Sequence, residues 1–512
     1  MTPTPAGLVR TGIDGLDEIL LGGVQRNNNI LVEGPPGSGK TTLGLGFVYA
    51  GASRFDEPGV VVSFELSPEK LLRDAQGFHW DLQAEVDRGR VRLVETTPAV
   101  LLDQLRLEDG VLVQELAAIG ARRLLIDGLT PMRLYADAHD VPFRESVHLL
   151  IEGLTRLGVT SLVTREEEPT AGVAHERYVF DTIISLDQHL THRRATRSIR
   201  VVKSRGQDFI GGQHTLRIQP AVGVDVYRRV QSRPKDADHQ PTSTERLSTG
   251  SEGLDTLFDG GVYRGSITLV TGISGTGKTV AGTQFLAHAA AQGRRGLLVT
   301  LDEHPEQLIR NAATLGFDLQ SAIDAGQLHI LYDTPLELEL DVHFERVARL
   351  VEEHDIEVVV CDSVAVYQLN GGEEANDFLY ALASWFKQRL VTVFFNYESP
   401  ELLGVSQISE ELKGSHLVDN IVLLNYVEIS TRLRRALCVP KARGSNNVQK
   451  TREFVIEHGG FRVLPDDGDN AVPQLPFSNY YGLLARSPTR RAPIIDEAVS
   501  QGDPLPADTS ER

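Results

Sequence analysis

The 512-residue sequence is poor in cysteine, methionine and tryptophan, with two of each. Two cysteines, Cys361 and Cys438, cannot build a disulfide framework or, by themselves, a zinc site. Both fall in apolar strand-like runs, where a thiol serves as a small buried hydrophobe. Positive charge is the minority: 51 Lys and Arg against 70 Asp and Glu leave −19. That balance keeps a chain soluble and disfavours coating of nucleic acid unless basic residues cluster locally. Also lacking are an uncharged apolar run of 18 residues and an apolar stretch behind a basic start. The expectation is a soluble, cytoplasmic protein with no membrane span and no signal peptide. What the chain has is length, room for three or four domains at about 150 residues each.

An internal repeat replaces that estimate. Thr11-Gly-Ile-Asp-Gly-Leu-Asp-Glu-Ile-Leu-Leu-Gly-Gly-Val24 recurs as Thr249-Gly-Ser-Glu-Gly-Leu-Asp-Thr-Leu-Phe-Asp-Gly-Gly-Val262, an offset of 249 − 11 = 238 residues. A period that long marks a duplicated domain, since solenoid repeats run about 20 to 50 residues. Lys40 with Lys278 and Lys203 with Lys441 keep the offset of 238, and Asp127 with Asp362 stand 235 apart. Two domains of one kind are expected, at 8–230 and 245–464, joined by a charged, turn-rich linker at 231–244. Residues 465–512 carry seven prolines and no sustained apolar period, which predicts a mostly disordered tail. Within it, Asn479-Tyr-Tyr-Gly-Leu-Leu484 is a candidate docking segment.

Short β-branched and apolar runs at 29–32, 59–64, 123–126, 160–163 and 182–186 alternate with amphipathic stretches, and 266–271, 296–301, 357–361, 390–395 and 420–424 repeat them. Near-continuous apolar strands between helices predict a parallel sheet covered on both faces, so each half reads as a doubly wound α/β unit.

Gly34-Pro-Pro-Gly-Ser-Gly-Lys-Thr41 and Gly272-Ile-Ser-Gly-Thr-Gly-Lys-Thr279 both fit Gly-x-x-x-x-Gly-Lys-[Ser/Thr], each after an expected strand and opening an expected helix. Glycines let backbone N–H groups turn around phosphate oxygens, and the helix N-terminus adds a favourable field. The expected ATP-binding residues are Gly37, Ser38, Gly39, Lys40, Thr41 and Thr42, and then Gly275, Thr276, Gly277, Lys278, Thr279 and Val280. Lys40 and Lys278 should reach the β- and γ-phosphates, while the hydroxyls of Thr41 and Thr279 hold Mg²⁺. The magnesium shell needs a second group at a neighbouring strand end, which Asp127 and Asp362 supply. Hydrolysis also needs a carboxylate that polarises water. Glu65 in the first half and the pair Asp302-Glu303 in the second fit it, against the alternative of solvated acids opening helices before Pro68 and Pro305. Lys203-Ser-Arg-Gly206 and Lys441-Ala-Arg-Gly444 place basic residues on one side of an extended strand. Lys203, Arg205, Lys441 and Arg443 are candidates to bracket a γ-phosphate as fingers in trans, or else simply end a strand in solvent.

These features together resemble the KaiC family, the two-domain ATPases and autokinases of bacterial circadian clocks within the RecA-like superfamily, over residues 8–463. The Thr-Gly opening and the P-loop are shared with RecA-like recombinases. More specific are the duplicated Lys-x-Arg-Gly, Asp419-Asn-Ile-Val-Leu-Leu-Asn-Tyr-Val-Glu-Ile429 and Asp302-Glu-His-Pro-Glu-Gln-Leu-Ile-Arg-Asn-Ala312. The resemblance implies two tandem RecA-like P-loop domains in a homohexameric double ring, with ATP between protomers and a KaiB-like protein docking on the first domain. It carries the catalytic base onto Glu65 and Asp302, sets the P-loop of one subunit against Lys203 and Arg205, or Lys441 and Arg443, of the next, and adds Arg435 to those nucleotide contacts. It also implies phosphorylation in the second domain on a Ser-Thr pair.

Three positions depart from the family pattern. Leu66 follows Glu65 where the family has paired glutamates. Asp302 is one methylene shorter than the usual glutamate, with Glu303 as a substitute base. Gly414-Ser-His-Leu-Val-Asp419 places Ser415 at the first phosphosite and His416 where the threonine stands. Ser415 is thus either a single phosphate acceptor or an N-cap serine, and a two-site cycle is not expected. The tail lacks the family's ordinary clock ending. Two other classes stay open: a RecA-like DNA-dependent ATPase, and a nucleotide-gated scaffold without kinase activity. DNA work is disfavoured because the richest basic stretch, His192-Arg-Arg-Ala-Thr-Arg-Ser-Ile-Arg200, has no interleaved aromatics.

Overall fold

A computed structural model describes residues 7–107, 110–140, 142–167, 175–191, 194–230, 241–372, 374–399, 417–429, 432–446 and 450–465. Linker residues 231–240, Ser415 and His416, and the tail from 466 onward with its segment 479–484 lie outside the described residues. The chain divides into two compact units, Met1–Lys235 with Leu336–Glu353, and Asp236–Pro335 with His354–Arg512.

Each unit is built on a nine-stranded sheet. In the first the order is Gly223–Tyr227, His214–Gln219, Arg194–Ser204, Thr182–Thr191, Asn29–Gly34, Thr160–Glu166, Arg123–Asp127, Gly59–Ser63 and Val91–Glu95. From Thr182–Thr191 to Val91–Glu95 neighbours are parallel, and the first three strands of the order return antiparallel. The second sheet repeats this with Leu328–Tyr332, Gly296–Thr300, Val358–Asp362, Thr392–Glu398, Ile267–Gly272, Asn420–Ile429, Arg432–Ala442, Arg452–Glu457 and Gly460–Val463. The expected apolar runs all lie on parallel strands. The antiparallel extensions, and the edge strands Val91–Glu95 and Leu328–Tyr332, which run parallel, lie beyond the strands expected from the apolar runs. The antiparallel extensions and Val91–Glu95 are interleaved with charge, and Leu328–Tyr332 is part-exposed and broken by His329, so they lack the continuous apolar signature of a strand covered on both faces.

Ile30, Leu31 and Val32 are all buried, because helices cover both faces of the first sheet. On one face the helix Lys40–Arg54 contributes Leu43, Phe47 and Val48. On the other, Pro98–Arg106 and Phe143–Leu157 contribute Leu101, Leu150 and Leu154. Each such side chain stabilises the fold by roughly 1.5–3 kcal/mol. Glycine brings the helix after each P-loop close to the sheet: a Cβ on Gly44 would lie 2.5 Å from Leu125 Cδ1, and one on Gly282 2.7 Å from Val360 Cγ1.

The repeated Thr-Gly motif is a turn lock. The buried Asp17 carboxylate accepts from Thr11 N at 2.6 Å and Thr11 Oγ1 at 2.7 Å, and Asp255 accepts from the same atoms of Thr249 at 2.7 Å each. Cys361 is buried in a central strand and Cys438 is half-buried, its thiol pushed up to about 11 by desolvation.

Candidate functional site

Each P-loop leaves the C-terminal end of a central parallel strand, where α/β sheets open a crevice between diverging connections. Gly37 and Gly39 adopt φ of 77° and 104°, and Gly275 and Gly277 adopt 78° and 107°. A side chain at the last glycine of either loop would be strained by that φ and crowded, since a Cβ on Gly39 would lie 2.7 Å from Ile218 Cδ1 and one on Gly277 2.5 Å from Ile456 Cδ1. Ser38 and Thr276 are fully buried, with Thr276 Oγ1 donating to Ile273 O at 2.8 Å, so these residues offer their backbone rather than their hydroxyls. Thr42 is half-buried, and Val280 packs at the rim of the second core. Lys40 Nζ donates to Gly34 O and Pro35 O, both at 2.9 Å, and Lys278 Nζ donates to Gly272 O at 2.9 Å and Ile273 O at 3.0 Å. Burial lowers both lysine pKa values. Glu166 and Asp127 pull Lys40 back up, and Glu398, Asp362 and Asp302 do the same for Lys278.

Thr41 Oγ1 lies 3.0 and 3.2 Å from the two carboxylate oxygens of Asp127, which also accepts from Thr164 Oγ1 at 2.5 Å. In the second unit Asp362 is raised chiefly by burial, offset by hydrogen bonds from Thr279 and Asn396. A hydroxyl and a carboxylate oxygen so placed are the hard donors Mg²⁺ takes when phosphates and water complete its shell. Among the described residues no group of three His, Cys, Asp or Glu could cage a metal without such help.

Glu65 is exposed and lines a cleft of about 360 Å³ with Gly37, Lys40, Thr41, Asp127 and Glu166. That volume suits a small-molecule site. Asp302 is pushed up by partial burial, then by Asp362 and Glu398, and pulled back by Lys278. Glu303 is also raised by burial, but its carboxylate meets Asn311 Nδ2 at 3.5 Å, on the following helix. Asp302 is therefore the acid that shares its field with the P-loop lysine.

The Lys-x-Arg pairs are not brought to their own P-loops. Arg205 N donates to Asp181 O, and the Asp181 carboxylate accepts from Asn29 N, so Arg205 stands level with the start of Asn29–Gly34. Arg443 N donates to Asp419 O, and Asp419 accepts from Ile267 N at the start of Ile267–Gly272. At about 3.3 Å per residue, the five steps to Gly34 or Gly272 put roughly 16 Å along the sheet between pair and loop. Lys203 Nζ donates to Phe180 O at 2.6 Å, Lys441 Nζ to Val418 O at 2.8 Å, and the arginines pair with Asp181 and Asp419 at 3.6 Å. Arg435, grouped with these residues from the sequence, stands apart from them. Its Nη2 lies 3.5 Å from Gly275 O of its own P-loop, beside Tyr426, whose hydroxyl donates to the same carbonyl at 2.7 Å.

Four residues at the sites were not expected from the sequence. Arg197 Nε donates to Gly37 O at 3.2 Å, the first-domain equivalent of Arg435; the offset 435 − 197 = 238 was the available signal. Glu166 and Glu398 are register partners of Gly34 and Gly272. Thr164 props Asp127 from the neighbouring strand. No short motif marks Glu166, Glu398 or Thr164.

The ATPase family model described as KaiC matches residues 9–231 and 247–468. The chain is 31% identical over 500 residues to the circadian clock oscillator protein KaiC of Picosynechococcus sp., covering 96% of this chain and 93% of that protein. It is 31% identical over 493 residues to the protein of the same name from Synechococcus elongatus, covering 94% and 92%, and 30% identical to that of Thermostichus vulcanus over the same shares. Among the described residues no helix is long and apolar enough to cross a membrane.

Proposed function

The chain belongs to the KaiC family of ATPases, and from that premise we propose that it works as a homohexameric double ring in which each Mg·ATP lies between neighbouring protomers. The observation that carries this reading is the separation within each domain: P-loop at one end of the central strand, Lys-x-Arg pair at the other. A head-to-tail interface that closes brings the pair of one protomer to the loop of the next.

In the first domain Lys40 and the loop N–H groups hold the phosphates, and Thr41 with Asp127 would hold Mg²⁺, which when bound would supply positive charge against the phosphates. Glu65 takes the proton of the attacking water as the new oxygen–phosphorus bond forms and the bond to the bridging oxygen of ADP breaks. Lys203 and Arg205 of the neighbour stabilise the charge spread over the γ-oxygens. Arg197 and Arg435 fix the P-loops of their own domains. In the second domain Asp302 is the base, with Glu303 beside it as a substitute, and Lys441 and Arg443 are the fingers. Ser415 is the single acceptor for autophosphorylation, because His416 occupies the second phosphosite. With relatives named circadian clock oscillator proteins, the role is a timing or signalling hub that docks a KaiB-like partner on its first domain.

Native mass with and without Mg·ATP, combined with phosphosite mapping, tests this reading. Hexamers in ATP and a phosphate on Ser415 that vanishes in Ser415→Ala are expected. A monomer at saturating ATP overturns the ring, and an ATP-loaded second domain free of phosphate reduces the chain to an ATPase.

A further inference from the structure

The first domain buries a set of charges that neither the P-loop nor the fingers account for. Glu33 is 2% exposed, Arg165 7% and Glu176 9%. Arg177 forms an ion pair with Glu33, and Arg165 lies 3.2 Å from Glu176 and 3.9 Å from Glu33. Glu33 and Arg165 are register partners on adjacent parallel strands. The same register pair in the second domain is Thr271 and Tyr397, both buried. The fold therefore does not require these charges, and buried ion pairs add little stability over well-packed apolar groups.

Their placement suggests what they do. Glu33 precedes Gly34, whose carbonyl accepts from Lys40 at 2.9 Å. Arg177 precedes Tyr178, whose carbonyl accepts from Lys203 Nζ and Arg205 Nη2 at 3.3 Å each, and Phe180 O accepts from Lys203 at 2.6 Å. One short segment thus carries at one end a side chain fastened to the root of the P-loop, and next to it the carbonyls that aim both fingers. We propose that Arg177, anchored on Glu33 and backed by Arg165 and Glu176, is a positioning residue that sets the aim of Lys203 and Arg205 and so ties a protomer's grip on its own nucleotide to the finger it offers its neighbour. This rests on the ring reading above.

The test uses mixed rings of the full chain, with Asp302→Asn and Glu303→Gln in every protomer so that phosphate release reports the first domain. A minority of otherwise unaltered protomers is diluted into an excess of donors whose own site is silenced by Glu65→Gln, and native mass confirms that donors enter the ring. Donors with intact fingers should support full turnover of the active protomers, and donors that also carry Lys203→Ala and Arg205→Ala should abolish it. Donors that also carry Arg177→Gln should lower it roughly tenfold, as expected for a displaced catalytic group, and Arg177→Lys should restore most of the loss. Because the donor site is already silent, a role confined to the donor's own P-loop or fold would leave the rate untouched. Full turnover with Arg177→Gln donors, where fingerless donors fail, overturns this inference alone; full turnover with fingerless donors overturns the ring reading itself. Glu33→Gln donors, nearly isosteric, run in parallel with the same two outcomes should Gln at position 177 keep protomers out of the ring.

Discussion

Lys40 and Lys278 meet equivalent loop carbonyls at 2.9 to 3.0 Å, and the last P-loop glycines share φ of 104° and 107°. The groups around the reacting end of the nucleotide differ. Glu65-Leu66 in the first domain stands against Asp302-Glu303 in the second, and Glu33 and Arg165 stand against Thr271 and Tyr397; at the opposite end of the sheet the fully buried Arg123 stands against Val358 at the start of the equivalent strand. Phosphate is held by backbone N–H groups, whose path tolerates no change once glycine conformations and close contacts set it. The reach of a carboxylate and the support behind a finger can vary without disturbing that path. On the proposed reading, duplication has kept the binding half of each site and left the rate-setting half free to diverge.

That contrast can be broken at four points. The largest effect belongs to the fingers: Lys203→Ala with Arg205→Ala should slow first-domain phosphate release about 10³- to 10⁵-fold, the range for arginine fingers, in a chain whose second domain is silenced; a loss under tenfold would reduce them to strand-end solvation. Next, Glu65→Gln should cost roughly 10²- to 10⁴-fold in single-turnover hydrolysis while retaining bound ATP. In the second domain, Asp302→Asn alone should cost less than Asp302→Asn with Glu303→Gln; equal losses would deny Glu303 any part. Third, Arg123 donates to Phe47 O at 2.8 Å and to Glu57 at 2.7 Å, so Arg123→Leu should destabilise the first domain by roughly 3 kcal/mol, seen as a lowered first-domain transition with the second unmoved. The smallest change is Asp302→Glu, which restores the missing methylene and should alter second-domain turnover by about tenfold or less, upward; a fall would mean that the shorter side chain suits this site.

Much of the architecture was legible because it was written twice. The offset of 238 residues located the P-loops, the Thr-Gly turn locks and the Lys-x-Arg pairs, each a local pattern fixed by chemistry over a few residues. Groups that meet through sheet register were hidden. Glu166 reads as one acid in a run of three, and only its pairing with Gly34 puts it beside the P-loop. Glu33 reads as the polar end of an apolar strand until Arg165 and Arg177 are placed around it. The antiparallel strands are interrupted by charged residues, Arg194, Arg197, Arg200 and Lys203 in one and Arg432, Arg434, Arg435 and Lys441 in its counterpart, and so gave no continuous apolar run.

The central claim is that a site is shared between chains, and complementation tests it most directly. Rings of Glu65→Gln protomers keep their fingers and lack the base, while rings of Lys203→Ala, Arg205→Ala protomers keep the base and lack their fingers. With second-domain hydrolysis silenced throughout, each should release almost no phosphate alone. Mixed in equal amounts, about a quarter of the first-domain interfaces should combine a base from one chain with fingers from the next, and phosphate release should return. Inactive mixtures, in rings shown by native mass to contain both protomers, would contradict the account.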